Sequence, residues 1–394
     1  MDVEKKVKIA VIGVGAMGRS HVQDLLTKAP QAQLVAICDI NRERAEQCSA
    51  EFNIPGFYDH RELLANTELD AVVIATPHYD HTPISIAALE RGIHTLTEKP
   101  LAVHVADGRR MIAAFEQARQ KQADLQFAIM FQQRTLSHWQ KIKELMTART
   151  LGKLVRVTWL ITDWFRTQTY YANGGWRATW GGEGGGVLLN QAPHNLDLYQ
   201  WFFGMPKRVA GFAQHGKYHQ IEVEDEVTGY FEHSDGMVGH FITTTAESPG
   251  TNRLEIVGEF GKLVYERGNL AIWRNQVSML DYIRTSTEMW GSVPNQVEEL
   301  AIPGAGGEHV QVLNAFIQAI LHGTPLIAQA PEGLQGLMLG NAIMLSAWEG
   351  RPVELPLDDE SYPEHLRKLA ANSSFQKHVQ EASSPVDMSG SFGH

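Results

Sequence analysis

Asn190, His194 and Asp197 lie in the run Gly184-Gly185-Gly186-Val187-Leu188-Leu189-Asn190-Gln191-Ala192-Pro193-His194-Asn195-Leu196-Asp197. Read as a helix at about 100° per residue, the three fall within roughly 60° of one another. An imidazole that shares a face with an amide and a carboxylate is suited to moving a proton near neutral pH. Leu188, Leu198, Trp201 and Phe202 form the opposite, packing face. Pro193 is awkward inside a helix and marks a kink or a late start near the histidine.

A second constellation binds rather than reacts. Gly13-Val14-Gly15-Ala16-Met17-Gly18 follows the strand-like VKIAVI and opens a helix running from Ala16 to Thr27, and Asp39 comes 21 residues after Gly18. Gly13 permits the tight turn, Gly15 lets a pyrophosphate approach the backbone, and Gly18 lets the helix close on the strand. The helix start at Ala16 and Met17 offers N–H donors and positive potential to phosphate. Asp39 suits a ribose diol and repels a 2′-phosphate, which favours NAD over NADP; Arg42 and Arg44 lie near enough to moderate that preference. Thr76-Pro77-His78 and His81 follow another strand at the carboxyl edge, where such sheets bind ligands. Glu98-Lys99-Pro100 ends the next strand, and the Lys99-Pro100 bond is a candidate cis peptide.

The elements that must position these groups read as two halves. Lys8–Ile12, Gln33–Cys38, Ala71–Ala75, Ile93–Thr97 and Leu125–Met130 are short β-branched runs separated by helix-period segments, the rhythm of a doubly wound parallel α/β sheet. After about residue 130, a helix near Leu136–Arg149 leads to a strand within Lys153–Trp164. A hairpin follows, Glu226–Glu232 with Met237–Thr245 around Ser234-Asp235-Gly236. Shorter strands at Arg253–Val257, Lys262–Glu266 and Leu270–Trp273 complete an α+β half with an open, mostly antiparallel sheet. Two late helices, about Val310–His322 and Glu332–Trp348, close it. The predicted division is 1–127 for the cofactor half, 128–357 for the substrate and oligomerisation half, and 358–394 for a C-terminal extension. The last 30 or so residues, ending Ser383-Ser384-Pro385 to His394, lose periodicity and predict a mobile or partner-docked tail.

Composition narrows the function classes. The 394 residues carry 34 Lys and Arg against 45 Asp and Glu, a net charge of -11 that disfavours nucleic acid. No apolar run is long enough for a membrane span, and three glycines break the apolar start, so neither a membrane partner nor a secretory signal is expected. Cys38 and Cys48 are the two cysteines; they read as buried thiols in a reducing cytoplasm. His215 and His219, followed by Glu222, Glu224, Asp225 and Glu226, lack the pattern of a metal site, and no metal is expected.

The GxGxxG strand-turn-helix, the segment Ala75 to His81, Glu98-Lys99-Pro100 and the glycine-rich stretch before a histidine-bearing helix together resemble the Gfo/Idh/MocA family of NAD(P)-dependent sugar and polyol oxidoreductases, over roughly residues 7 to 357. The resemblance implies that Lys99 sits beside nicotinamide and substrate, and that His194 takes the hydroxyl proton when hydride leaves a carbinol carbon. Trp176-Arg177 occupies the place of a recurrent pair near the nicotinamide and substrate. Gln133 and Arg134 occupy a position where the family often has two substrate-side arginines, so a strongly anionic substrate is disfavoured. Trp164 belongs to an aromatic-rich stretch, with Trp159, Tyr170, Tyr171, Trp176 and Trp180, suited to a pyranose or cyclitol. The family pattern usually has aspartate where Asn190 stands. Either Asp197 takes over as the charge partner of His194, or His194 works with a less elevated pKa and Lys99 carries more of the polarisation. The expected activity is NAD-dependent oxidation of a ring hydroxyl of a sugar, glycoside or inositol by a homodimer or homotetramer. The alternatives are a redox-neutral NAD-dependent glycosidase and a non-catalytic NAD-binding regulatory protein.

Overall fold

Strands buried on both faces have no polar side to expose, so they must be covered by helices above and below. In the computed structural model, which describes residues 5–302 and 304–379, the first third satisfies this requirement. β1 (Val7–Ile12), β2 (Ala32–Cys38), β3 (Gly56–Phe57), β4 (Ala71–Ile74), β5 (His94–Thr97) and β6 (Phe127–Ile129) pair in the order β3-β2-β1-β4-β5-β6. Every pairing is parallel. The order reverses between β2-β1 and β4, which opens the ligand crevice beyond the carboxyl ends of β1 and β4.

The second sheet is built on alternation. β7 (Leu154–Ile161), β8 (Arg208–His215), β9 (Glu224–Glu232), β10 (Val238–Thr244), β11 (Asn252–Gly258), β12 (Gly261–Glu266), β13 (Asn269–Asn275), β14 (Asn295–Glu299) and β15 (Val353–Glu354) form one mixed sheet. Its order is β14-β13-β12-β11-β7-β10-β9-β8-β15. β7 and β10 pair in parallel and the other neighbours antiparallel. Val157, Trp159 and Ile161 point to the buried face, whereas Arg156, Thr158 and Leu160 point to the open one. The buried face is covered by the helices Pro193–Phe203 and Ala330–Glu349. Tyr199 packs its ring edge on Phe231, with centroids 4.8 Å apart.

Two expectations change. The helix His309–His322, assigned to the second half, returns to the first sheet, where Val312, Leu313, Phe316 and Ile317 pack with Val7, Ile9 and Val11. The extension is structured at its start. Ser361–Ala371 is a helix with Tyr362 and Leu366 buried, because its apolar residues recur at i and i+4. Ser383-Ser384-Pro385 and the residues after them lie outside the described residues.

Phe316 is completely buried against the first sheet. Phe316→Ala is therefore expected to cost about 3–5 kcal/mol and to lower the urea midpoint with little change in slope. An unchanged midpoint would show that this helix does not belong to that core.

Candidate active site

The glycine turn is held by contact rather than preference alone. Gly13 has φ +88°, and a Cβ there would stand 2.6 Å from the Ala75 carbonyl oxygen; at Gly18 it would meet the Gly13 carbonyl oxygen at 1.8 Å. At Gly15 nothing lies within 4 Å of that position, so the space in front of the helix start is open. The helix Ala16–Thr27 has no side-chain cap and no acidic residue in its first turn, which leaves the N–H groups around Ala16 and Met17 for an anion. Asp39 accepts from the N–H groups of Val14 at 3.0 Å and Asn41 at 2.9 Å. Arg44 Nη1 also donates to it, at 3.2 Å to Oδ2 and 3.4 Å to Oδ1, so a ribose diol would have to share or displace that guanidinium. The Thr76 hydroxyl oxygen is buried without a partner in the same crevice. These features fit a dinucleotide. Arg42 does not contribute: its guanidinium lies over the Tyr58 ring at 4.4 Å, and Arg44 is the residue beside Asp39, at 3.2 Å.

Glu98-Lys99-Pro100 delivers one cation to the crevice. The Lys99-Pro100 peptide is cis, and Lys99 Nζ donates to the Asn190 backbone carbonyl at 2.7 Å. Burial lowers the Lys99 ammonium from its ordinary range; Glu98 and Glu183 oppose the shift, and Arg177 and Arg166 add to it. Glu98 faces inward. It bonds His21 Nε2 at 2.8 Å and accepts from the Lys99 N–H at 3.2 Å. Burial pushes its carboxyl up, but the His21 bond and the surrounding cations prevail and bring it to about 2. Both ring nitrogens of His81 face carbonyls, Pro100 O at 2.8 Å and Thr76 O at 2.9 Å, so His81 ties two strand-end loops together rather than reaching the crevice. His78 Nδ1 lies 3.2 Å from the Glu183 carbonyl oxygen, and its ring meets Trp176 edge-on at 5.2 Å.

Pro193 starts a new helix. Val187–Asn190 is one turn and Pro193–Phe203 begins with the proline at its first position, where its missing N–H costs nothing. Asn190 therefore does not share a continuous helical face with His194 and Asp197. Asp197 is not the partner of His194: both its oxygens bond Arg134, at 2.7 Å each, and Gln200 adds a third bond at 2.9 Å. Burial raises the Asp197 carboxyl against the pull of that guanidinium. Arg134 also bonds Glu332 at 2.6 Å and is 2% exposed, so this arginine is a buried structural cation and not a substrate contact.

His194 is left neutral. Burial, then the nearby Lys99 charge, hold it well below its ordinary range; Nδ1 is buried without a partner, and Nε2 lies 3.4 Å from Gln132 Nε2. Gln132 is the glutamine at the histidine, and Gln133, expected on the substrate side, is the half-buried residue next to it. Trp164 is buried with its indole N–H unpaired. Arg177 donates to the Tyr170 hydroxyl at 2.7 Å and stacks over the Tyr170 and Trp176 rings, each at 4.7 Å. Sequence reasoning passed over Glu183, a buried carboxylate that receives the Asn190 side-chain amide, and Lys377, whose ammonium bonds the carbonyls of Gly174 and Arg177. The one available signal for Glu183 was an acid directly before three glycines; Lys377 had none.

His219 bonds Asp225 at 3.0 Å and the Arg166 carbonyl at 2.9 Å, while the His215 ring meets Trp180 edge-on. Among the described residues there is no group of three or more potential metal ligands, and no helix long and apolar enough to cross a membrane.

Residues 7–124 match the oxidoreductase family with an NAD-binding Rossmann fold, GFO/IDH/MocA, and residues 139–264 match the C-terminal domain of the same family. The scyllo-inositol 2-dehydrogenase (NAD(+)) of Bacillus subtilis is 26% identical over 66% of this chain and 74% of its own length. The D-apiose dehydrogenase of Paraburkholderia graminis is 27% identical over 89% of this chain and 90% of its own. Among solved structures, the WlbA dehydrogenase of Bordetella pertussis, in complex with NADH and UDP-GlcNAcA, superposes with a TM-score of 0.75 at 26% identity. It covers 90% of this chain and 100% of that one. With both sheets, the glycine turn and the crevice between the halves accounted for, the chain belongs to the GFO/IDH/MocA family of oxidoreductases with an NAD-binding Rossmann domain.

Proposed function

We propose that the protein is an NAD-dependent dehydrogenase that oxidises a ring hydroxyl of a sugar, glycoside or inositol to the ketone. The observation that carries this reading is the placement of Lys99 Nζ, held on the Asn190 carbonyl at 2.7 Å, near a His194 imidazole that burial keeps below its ordinary range, at the edge of a crevice fitted for a dinucleotide. When bound, the nicotinamide accepts hydride from the carbinol carbon. Lys99 donates a hydrogen bond to the hydroxyl oxygen and favours its deprotonation; the neutral imidazole of His194 takes the proton. Asn190, Tyr170 and Arg177 line the side from which a polyol would present its other hydroxyls, and the Trp176 ring offers an apolar face. Asp39 holds the adenosine ribose of NAD in preference to NADP. The inositol and apiose dehydrogenases among the relatives support a ring substrate without charge, whereas the UDP-GlcNAcA held by the WlbA dehydrogenase is an anionic one.

The working division is a cofactor half, 1–127, a substrate half, 128–357, from which 309–322 returns, and an extension from 358. The open face of the second sheet, with Phe212 exposed and Leu160, Tyr230, His240 and Ile242 half-buried, is suited to a second copy of the chain. That face supports the reading of a dimer or tetramer. Two buried thiols, Cys38 pushed up to about 12 by burial, are in keeping with a reducing cytoplasm.

Mixing the protein and NAD with inositols, free pyranoses and glycosides should raise the reduced-nicotinamide absorbance with at least one ring type. Lys99→Ala should abolish that rise, with a loss of 100-fold or more, on the order of 3 kcal/mol. Products that change without accumulating NADH would instead indicate the redox-neutral glycosidase reaction. His194 must be neutral to act, and its pKa lies well below 6.5, so oxidation should be flat through pH 7 and fall only in more acid buffer. The alkaline limb should lie below 10.5, because burial lowers Lys99. An acid limb centred above 6.5 would contradict this assignment of the base. Asp39→Ala should raise the KM for NAD by roughly tenfold and narrow the gap to NADP, read by initial rates; an unchanged ratio would remove Asp39 from cofactor selection.

A further inference from the structure

Glu183 is a buried carboxylate for which the proposed reaction has no stated use. It is 1% exposed. One oxygen receives Asn190 Nδ2, the other the Ala178 N–H at 2.6 Å, and Arg177 Nη1 lies 4.0 Å away. A carboxylate only accepts, so the Asn190 amide has a single orientation: nitrogen toward Glu183 and oxygen away. That oxygen then accepts from the Tyr170 hydroxyl and from Gln191 Nε2, each at 3.2 Å. The Tyr170 oxygen accepts in turn from Arg177. The backbone carbonyl of the same Asn190 holds Lys99 Nζ. One buried anion thereby sets an amide, a phenol and a guanidinium, and acts through residue 190 on the ammonium.

The surrounding charges explain why an anion is needed here. Lys99 faces Glu98 from its own strand end, Arg177 and Arg166 from across the crevice, and the His78 and His194 rings. Burial raises the Glu183 carboxyl, and Arg177, the Ala178 N–H, the Asn190 amide and Lys377 oppose that shift and favour its anion; behind it lie the Glu224 carboxyl and the Tyr171 phenol. Glu98 is engaged by His21. On the substrate side, then, the cations gather around Glu183, while residue 190 brings an uncharged amide. An aspartate at 190 would put two carboxylates within hydrogen-bonding distance, and one of them would have to be protonated. Positions 183 and 190 therefore share room for one negative charge.

We propose that Glu183 is the anionic positioning residue of this site, carrying seven positions upstream the charge that Asn190 lacks, and that it orients Asn190 and holds Lys99 and Arg177 at the substrate. This inference rests on the dehydrogenase reading for its effect on rate, but its electrostatic core does not.

The test titrates Lys99 by NMR in the full chain labelled with 13C-lysine, the signal assigned by its loss in Lys99→Ala. It compares wild type with Glu183→Gln, Glu183→Asp, Asn190→Asp and the double variant Glu183→Gln/Asn190→Asp, with kcat and KM measured on the ring substrate that turns over. Glu183→Gln should lower the Lys99 midpoint by about one unit, move the alkaline limb of kcat down with it and reduce kcat on the order of tenfold. The KM for NAD should not change. Glu183→Asp should keep the midpoint near that of wild type. The double variant, with one charge restored at 190, should recover midpoint and rate toward wild type, which loss of packing alone could not do. A folded Glu183→Gln protein with unchanged midpoint and kcat would overturn the proposal. So would a double variant no better than Glu183→Gln. If the midpoints follow the charge while no ring hydroxyl is oxidised by wild type, Glu183 keeps its place and the dehydrogenase reading fails.

Discussion

The hydrogen bond from Lys99 Nζ to the Asn190 carbonyl, at 2.7 Å, joins the two halves of the molecule at the point where chemistry is proposed. Lys99 lies two residues past β5 of the parallel sheet; Asn190 ends a single helical turn beside the second sheet. Neither could hold the other unless the halves were packed in one relation. That relation is fixed on both sides of the site. Arg134, just past β6, is locked to Asp197 on the helix that carries His194, and His309–His322 returns to cover the first sheet. Breaking a buried pair such as Arg134 with Asp197 leaves an uncompensated charge, a cost of about 3–5 kcal/mol. The pair acts as a strut.

Burial sets the protonation of the reacting groups more than any single neighbour does. It pushes His194 toward the neutral imidazole, and the Lys99 charge reinforces the shift. Lys99 is itself lowered by burial, with Glu98 and Glu183 resisting. In the proposed reaction the imidazole would take the proton and the Lys99 ammonium would donate to the oxygen within one desolvated pocket. The missing aspartate at 190 suits this balance, because a carboxylate there would compete with Glu183 for the same donors.

The sequence carried the fold through periodicity and the cofactor crevice through spacing. Both are local signals: β1, β2 and β4 show as largely apolar runs, and Gly13, Gly15, Gly18 and Asp39 keep intervals that backbone geometry demands. What escaped was either too short or not local. β3 is two residues long and has no period to read. The wheel that aligned Asn190 with His194 and Asp197 failed because Pro193 begins a second helix, the late start near the histidine that the proline also allowed, and a helical wheel cannot represent a restart. Gln132 and Gln133 are adjacent, and a turn of 3-10 helix decides which meets the histidine. Arg42 and Arg44 differ by which side of their helix faces Asp39. Lys377 reaches Gly174 and Arg177 across some 200 positions, a relation no spacing rule contains.

In the proposed reaction a carbon-bound hydrogen of a ring carbinol leaves for the nicotinamide while Lys99 and His194 manage the hydroxyl proton. Its most direct test supplies the protein with NAD and the ring substrate deuterated at carbon, then weighs the reduced cofactor. NADH heavier by one deuterium is expected from wild type and not from Lys99→Ala. Reduced cofactor without deuterium, or a ketone product formed with no reduced cofactor at all, would contradict it.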